Sequence, residues 1–421
     1  MAMKLEMVVL RAPVGSAPAT ESAGAGRDRE LVSNLRPSAS ARNRALRARA
    51  EEISVEVDEM DAGQRARRSA DPTVLSIAPR MPVTLIRAFE TPRHAAADAP
   101  ATGWGIEAVG AHDSPFTGEG VTVAVLDTGI DAAHPAFDGV EIVPRNFTAD
   151  PPEDVDGHGT HCAGTIFGRD VDGRRIGVAK GVKRALIGKV LGDTGGSSED
   201  IVKAIHWAQL EGAEIISMSL GMDFPGYQKI LTDKYGMAPE QATSLALAGY
   251  RLNTRLFDQL SRAMVGHDGL MTGCLVTAAA GNESRRPDYT IIVAPPATGE
   301  MFLSVAALGR NGDGTYRVAD FSNEGAAVSA PGEDILSAKR GGGLVAYSGT
   351  SMATPHVAGV AALWAQQLKQ NGGFSAAGVA ERIRSTAKGL GAAFGRDDVG
   401  FGLVQAPPAV RPRRVARRRQ S

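Results

Sequence analysis

The sequence has few cysteines, few aromatic residues and almost no net charge. Only Cys162 and Cys274 stand among its 421 residues, which excludes a disulfide framework as the basis of stability. Each lies in an apolar context and is predicted to be a buried thiol. A formal net charge of −1 provides no global attraction to nucleic acid or to a membrane surface. No apolar run reaches the length of a membrane span, so the sequence predicts neither a membrane protein nor a nucleic-acid partner.

The N-terminal region lacks a clear periodic pattern. Residues 1–52 are rich in Ala, Arg, Ser and Pro, and they are predicted to form a disordered or weakly structured arm. The apolar stretch at the start is short and is broken by Glu6 and Arg11, unlike a signal peptide. A cytoplasmic location is therefore favoured, although secretion stays open.

A serine lies at the start of an apolar, Ala-rich segment in the stretch Gly349–Gly359. The segment predicts a helix whose first turn contains Ser351. Free backbone N–H groups and the helix dipole favour an oxyanion at that place. The simpler interpretation of one serine at a helix start is an N-cap.

Two stretches upstream favour a catalytic interpretation of that serine. The β-branched run from Val121 predicts a buried parallel strand, and it ends in Asp127. In open α/β sheets, functional sites are built at the carboxyl ends of such strands. The stretch Asp156–Gly164 places His158 at the start of a second small-residue helix. A serine hydroxyl needs an imidazole to take its proton, and the imidazole needs a carboxylate to fix its tautomer. Asp127, His158 and Ser351 are therefore candidates for orienting acid, general base and nucleophile.

Strand-like runs alternate with helical segments through most of the chain. This alternation is typical of an α/β fold with a doubly wound parallel sheet. The runs lie at 121–126, 186–191, 214–218, 273–280 and 302–307.

Together these motifs resemble the subtilase, or subtilisin-like, family of serine proteases. The aspartate, histidine and serine occur in the order of that family. The stretch Val276–Asn282 resembles the strand that ends in its oxyanion-hole asparagine. The resemblance runs from about Trp104 to about Ala406 and implies a subtilisin-like catalytic domain over 104–408. It also implies that the Asn282 side chain and the Ser351 backbone N–H stabilise the oxyanion.

The resemblance further implies how an extended protein or peptide substrate would bind. The substrate would pair through its backbone with two strand edges and place one side chain in a primary pocket. Glu283 is interpreted either as the rim of that pocket or as a solvated loop charge. A cis Pro295–Pro296 bond is predicted beside the pocket. The implied residues are Gly195, Gly196 and Ser197 on one edge, Ser219, Leu220 and Gly221 on the other, and Ala279, Ala280 and Gly281 in the pocket.

Residues 222–271 depart from the family pattern as an insertion. Apolar residues recur along Gln241–Ala263 and predict one or two added helices near the cleft. These helices would form either a surface elaboration or a lid or docking surface.

The residues at the family's calcium-binding positions are a second departure from the family pattern. The resemblance implies no cofactor for catalysis, but many subtilases bind structural calcium. Ala136 stands where the family would offer an aspartate, and Arg169–Gly173 replaces a later loop. The two aspartates of that loop could donate oxygens or could simply form turns. The sequence therefore predicts no metal site, and structural calcium stays open.

Residues 53–89 predict a small α+β unit before the catalytic domain. By position and pattern this unit resembles the family's propeptide, which is a folding chaperone and inhibitor. An N-terminal extension that packs permanently on the enzyme is the alternative. Residues 90–103 are predicted to form a linker, and any proteolytic processing is expected within it. Its stretch 90–100 is expected near Ser351. The Arg-rich residues 409–421 predict a basic disordered tail.

The activity implied by the resemblance is that of a serine endopeptidase acting through an acyl-enzyme. A transpeptidase that lets an amine intercept the acyl-enzyme is one alternative. A non-catalytic peptide-binding protein on the same fold is another. The natural substrate does not follow from the sequence.

Overall fold

An eight-stranded sheet forms the centre of the computed structural model, which describes residues 4–12, 53–90, 102–265, 273–300 and 302–409. Across the sheet lie β14 (Tyr316–Val318), β13 (Phe302–Arg310), β12 (Leu275–Ala279), β10 (Ile215–Met218), β6 (Thr122–Asp127), β8 (Arg184–Lys189) and β7 (Glu141–Asn146), with β15 (Val328–Pro331) also beside β13. All these neighbours are parallel except β13 and β14.

Both faces of the sheet are buried. On β6, Val123 and Val125 belong to one hydrophobic cluster, whereas Ala124 and Leu126 belong to another. Successive side chains of a strand point to opposite faces, so each cluster fills one side of the sheet. The predicted doubly wound α/β fold is confirmed.

Helices cover both faces. None of those described is long and apolar enough to cross a membrane. They are α2 (Trp104–Ala108), α3 (His158–Phe167), α4 (Ser198–Leu210), α5 (Phe224–Asp233), α6 (Pro239–Val265), α7 (Thr350–Gln370), α8 (Ala376–Thr386) and α9 (Arg396–Val399), with a 3₁₀ turn at Pro135–Phe137. Besides the N-terminal strands β1 to β5 described below, four short strands lie outside the central sheet: β9 (Gly196–Ser197), β11 (Leu220–Met222), β16 (Ile335–Ala338) and β17 (Leu344–Ser348).

The N-terminal part of the chain forms its own sheet of three antiparallel strands, with β1 in the middle. The helix of this part begins after Asp61, which forms a reciprocal capping box with Gln64. The elements of this part are β1 (Leu5–Arg11), β2 (Ser54–Met60), α1 (Ala62–Ser69), β3 (Val74–Pro79), β4 (Pro82–Leu85) and β5 (Phe89–Glu90).

The prediction of a weakly structured arm over residues 1–52 is wrong for Leu5–Arg11. Met7 to Leu10 are at most 1% exposed, because β1 is covered on both faces. A continuous apolar run is the pattern of such a strand. Residues 13–52, the linker over 91–101 and the tail over 410–421 lie outside the described residues.

The stretch Gln241–Ala263, predicted to form one or two added helices, lies in the single helix α6, and α5 precedes it within the insertion. The N-terminal sheet rests on α6. The Asn253 side chain, fully buried, donates to the carbonyl of Pro79 at 2.9 Å. Gly249 leaves room for the same strand, since a Cβ there would lie 3.0 Å from Pro79 Cγ. Arg80 also pairs with Glu199 of α4 at 2.9 Å. The N-terminal sheet, α4 and α6 share one hydrophobic cluster, so the insertion is a docking surface for the N-terminal sheet.

Substituting Gly249→Leu should loosen the N-terminal sheet from α6. The added side chain would meet Pro79, and overpacking of this kind costs about 1–3 kcal/mol. Limited trypsin digestion of a Ser351→Ala background, followed by mass spectrometry, should show cuts within 53–90 about tenfold faster. Ala248→Leu, at an exposed neighbouring position of α6, is the matched control. Equal digestion rates for the two variants would contradict this account of the docking.

Candidate active site

Asp127 and His158 form a buried hydrogen-bonded pair. His158 Nδ1 donates to Asp127 Oδ1 at 2.8 Å, and the backbone N–H of Thr128 donates to the same oxygen at 2.8 Å. The two side chains are 1% and 2% exposed. Asp127 ends β6, and His158 is the first residue of α3. With Nδ1 carrying the proton, Nε2 is left as the basic nitrogen.

A second buried carboxylate holds the two elements together. Asp154 Oδ1 accepts from the Thr128 hydroxyl at 2.9 Å and from the Gly157 N–H at 2.8 Å. Its other oxygen accepts from the backbone and hydroxyl of Thr160. Asp154 therefore fixes the end of β6 against the start of α3. The sequence analysis missed this residue, although its place four residues before His158 was a usable signal.

Ser351 lies in the first turn of α7, as predicted, and is fully buried. Asn282, which follows β12, accepts from the backbone N–H and the hydroxyl of Thr350 through Oδ1, both at 2.8 Å. These two bonds leave the Asn282 amide nitrogen to point into the cleft. Thr350 is thus a second positioning residue that the sequence analysis did not identify.

Residues 82–85 of the chain itself lie in the predicted cleft. On one side β4 pairs antiparallel with β9, and Val83 lies opposite Gly196. On the other side β4 pairs antiparallel with β11, and Leu85 lies opposite Leu220. The two predicted edges thus come together around one extended strand. Contacts with this strand include pairing of Pro82 with Ser197 and of Thr84 with Gly221, and close approach of Val83 O to Gly195.

The same segment continues over Ser351. The Ser351 hydroxyl donates to the Ile86 carbonyl at 2.8 Å, and Asn282 Nδ2 donates to the Arg87 carbonyl at 3.0 Å. Beyond them, β5 pairs antiparallel with β17. The stretch expected near Ser351 was 90–100, and its residues 91–100 lie outside the described residues. Within the described part, residues 86–87 contact Ser351 and Asn282.

One side chain of the segment is buried in the region of the primary pocket. Ile86 is 5% exposed, and a Cβ added to Gly221 would lie 3.6 Å from its side chain. Met222 donates to the Pro295 carbonyl at 2.9 Å, and the predicted cis Pro295–Pro296 bond is confirmed.

The remaining predicted pocket residues lie near Asn282. Ala279 and Ala280 are buried at the end of β12, and the Gly281 N–H donates to the Thr350 hydroxyl at 3.2 Å. Ser219 donates to the Ser351 carbonyl at 3.2 Å. The exposed Glu283 accepts from Asn323 Nδ2 at 2.6 Å. The roles of Ala279, Ala280, Gly281 and Glu283 in substrate binding stay predictions.

The Asp127 carboxylate stabilises the positive charge that His158 acquires when it accepts a proton. Burial acts to lower the pKa of His158, but the charge and hydrogen bond of Asp127 outweigh it and raise the pKa well above its ordinary value. Cys162 Sγ lies 3.7 Å from His158 Nδ1, and burial raises the pKa of this thiol. Both cysteines are free and buried, as predicted. Among the described residues, Asp127, His158 and Cys162 form the one cluster with metal-ligand spacing, but His158 and Asp127 already bond each other.

The candidate calcium loop does not fit a calcium ion. The Arg169 guanidinium donates to the carbonyls of Phe167, Lys180 and Val182. Asp170 pairs with Lys180 at 3.3 Å. A calcium ion needs six to eight oxygen ligands. Here the Arg169 guanidinium places a fixed positive charge beside the loop and takes three neighbouring backbone oxygens, and Lys180 pairs with Asp170.

Comparison with known proteins agrees with this geometry. A family model described as the subtilase family matches residues 118–403. An intracellular serine protease of Paenibacillus polymyxa is 38% identical over 58% of this chain and 67% of that protein. Subtilisin E of Bacillus subtilis is 35% identical over 72% of this chain and 69% of that protein, and the subtilisin of Bacillus pumilus is 35% identical over 72% and 96%.

A solved structure shows the same fold. It is fervidolysin from Fervidobacterium pennivorans, a keratinolytic enzyme related to subtilisin, and it is 22% identical with a TM-score of 0.62. The match covers 96% of this chain and 60% of that chain. Fold and site together define a serine endopeptidase. The chain belongs to the subtilase family.

Removing calcium should leave the free energy of unfolding unchanged. Substituting Arg169→Met should lower the free energy of unfolding. Loss of charge-assisted hydrogen bonds to three buried or half-buried carbonyls predicts a decrease of about 1.5–3 kcal/mol in the free energy of unfolding. Urea unfolding of a Ser351→Ala background, with and without EDTA, measures both effects. Lys183→Met is the control, because exposed Lys183 makes a surface ion pair with Glu119. A lower urea midpoint in EDTA would contradict this assignment.

Proposed function

We propose that Asp127, His158 and Ser351 are the catalytic triad of this endopeptidase. His158 Nε2 takes the proton of the Ser351 hydroxyl as the oxygen attacks a peptide carbonyl carbon. Asp127 stabilises the imidazolium through Nδ1. His158 then protonates the leaving amine, and water resolves the acyl-enzyme. Two observations together support the proposal. His158 bonds Asp127 at 2.8 Å, and the chain's own residues 86–87 contact Ser351 and Asn282 in the same cleft.

Asn282 Nδ2 and the backbone N–H of Ser351 form the proposed oxyanion hole. The contact of Asn282 with the Arg87 carbonyl supports this role, because it presents the amide to a carbonyl oxygen at 3.0 Å. The start of α7 adds the positive end of a helix dipole. Such preorganised donors stabilise the charge that develops on the attacked carbonyl.

The substrate is proposed to be an extended peptide with an apolar side chain before the cleaved bond. Ile86 occupies a buried position beside Gly221, whereas Arg87 is exposed. An apolar side chain gains free energy from such burial, and a charged one would lose its hydration. Backbone pairing to β9 and β11 holds the rest of the substrate.

The N-terminal part of the chain is proposed to be an intramolecular inhibitor. Its β4 and β5 bind on the two sides of Ser351, and its sheet docks on α4 and α6. An external peptide cannot pair with β9 and β11 while β4 does. Cytoplasmic location and processing within 90–103 stay predictions.

Substituting Ile86→Asp should activate the full-length chain toward an external peptide. A carboxylate in the apolar pocket weakens the hold of the segment without altering the triad. Hydrolysis of an internally quenched peptide with Ile before the cleaved bond should rise at least tenfold. Arg87→Asp, at the exposed neighbouring position, should leave the rate near that of the wild type. Equal rates for the two variants would count against the inhibitor assignment.

In the Ile86→Asp background, Ser351→Ala should abolish hydrolysis and labelling by a fluorophosphonate. Asn282→Ala should keep labelling detectable but lower kcat by about two to three orders of magnitude, as loss of one oxyanion donor does. Asn371→Ala, at an exposed position after α7, is the control. Hydrolysis that persists in the Ser351→Ala variant would disprove the triad. A change in kcat below about threefold in the Asn282→Ala variant would disprove the oxyanion hole.

A further inference from the structure

Lys189, the last residue of β8, places a positive charge in the interior of the protein. Its side chain is 2% exposed, and no other lysine or arginine in the described ranges is buried. Burial of an ammonium group is costly unless nearby charges and hydrogen bonds compensate it. An apolar residue at this position would avoid that cost. The surroundings of Lys189 must therefore compensate its charge.

Lys189 lies beside Asp127 at the carboxyl edge of the central sheet. The two residues are register partners on the parallel strands β8 and β6. Val125 and Ile187, two positions earlier on the two strands, belong to the hydrophobic cluster that also contains Cys162 of α3. Because side chains alternate along a strand, Asp127 and Lys189 leave the sheet on that same face. Adjacent strands lie about 4.8 Å apart, so the two side chains start as neighbours.

The ammonium group of Lys189 reaches the backbone that carries Asp154. Lys189 Nζ donates to the carbonyl of Glu153, directly before Asp154, at 2.6 Å. The four hydrogen bonds to Asp154 come from neutral hydroxyl and backbone N–H donors. In the described part of the chain, Asp127 and Asp154 are the only buried carboxylates. The two buried carboxylates and the buried ammonium group thus meet at one junction between β6, β8 and α3.

The charge balance of this junction depends on His158. With His158 neutral, two carboxylates face one ammonium group, and protonation of His158 balances the charges. Without Lys189, a neutral His158 would face two uncompensated negative charges, which favour a retained proton. Burial acts to lower the pKa of His158, but Asp127 already raises it well above its ordinary value. A base that keeps its proton cannot accept one from the serine hydroxyl.

The other titratable groups near His158 do not supply the missing positive charge. They are Asp127, Asp154, Asp156, His161, Cys162 and Tyr347. Burial keeps the last three neutral at neutral pH, because it lowers the pKa of the imidazole to about 3 and raises the pKa values of the thiol and the phenol. Arg340, beside Gly157, is exposed, so solvent screens its charge.

We propose that Lys189 is a positioning residue of the active site. Its ammonium group is the countercharge of the Asp127 and Asp154 carboxylates. It thereby leaves His158 free to accept the proton of the nucleophile. The bond to the carbonyl before Asp154 also fixes the backbone that presents this carboxylate. Lys189 acts through the two carboxylates rather than on the substrate, and the inference rests on the proposed roles of Asp127 and His158.

Substituting Lys189→Met in a full-length Ser351→Ala chain tests the countercharge without any need for catalysis. The pKa of His158 should rise by about one pH unit, since one charge about 10 Å away contributes that much at an effective dielectric constant of about 20. The low-field NMR resonance of the His158 Nδ1 proton, followed against pH, measures this change. Lys189→Arg keeps the charge and should leave the pKa near that of the parent chain. Lys203→Met, at an exposed lysine of α4, is the control.

The pH dependence of hydrolysis separates a charge effect from a loss of structure. In the Ile86→Asp background, Lys189→Met should lower kcat/KM about tenfold on the acidic side of the profile, because more of His158 is protonated there. At the alkaline plateau, where His158 is neutral in both chains, the two values should agree to within about twofold. A merely structural role would lower kcat/KM equally at every pH.

An unchanged His158 pKa in a folded Lys189→Met variant would overturn the inference, and so would a rate that falls equally at every pH. If Lys189→Met does not fold, the same comparison is made in the Asp154→Asn background, where removal of both charges keeps the junction balanced. The pKa of His158 should again rise there when Lys189 is replaced, and the absence of a rise would overturn the inference. Absence of fluorophosphonate labelling in the Ile86→Asp chain with Lys189 intact would instead mean that the proposed catalytic function fails, whereas the NMR titration still decides the role of Lys189.

Discussion

Asp127 and His158 meet because the first turn of α3 lies directly against the backbone that follows β6. A Cβ at Gly159 would come within 2.2 Å of the Gly129 carbonyl, so this approach requires glycine. Asp154 then ties both pieces of backbone with four hydrogen bonds. A carboxylate that is buried and fully bonded keeps its place, since breaking any bond would leave a polar group without water. The triad thus depends on a rigid junction between a strand and a helix.

The substrate cleft is an incomplete sheet. β9 and β11 each have two or three residues, and in this chain β4 lies between them. Edges of this kind recognise any extended backbone, since the pairing uses main-chain groups. The same hydrogen bonds would therefore serve an inhibitor and a substrate.

The sequence allowed the fold and triad to be predicted because both depend on short motifs in fixed order. Asp127 ends a strand, His158 and Ser351 lie in the first turn of a helix, and Asn282 lies shortly after a strand. Such places are visible in the pattern of apolar residues. β1 was missed because its apolar run was compared only with a signal peptide, and its partners β2 and β3 lie more than 40 residues away in sequence. The contact of residues 86–87 with Ser351 and Asn282 did not follow from the sequence for a related reason. Register across a cleft is a property of two separate pairings, and no local pattern encodes it.

Docking and inhibition are physically coupled in the N-terminal part of the chain. Only Arg80 and Met81 separate β3, which rests on α6, from β4 in the cleft. Because this tether is so short, the effective concentration of β4 at the cleft is on the order of millimolar or higher while the sheet is docked. The few main-chain bonds of β4 can then hold the cleft closed, although a free peptide of that length would bind weakly. The long α6 thus supports inhibition from a surface remote from Ser351. Loss of that docking would weaken inhibition without changing any residue of the cleft.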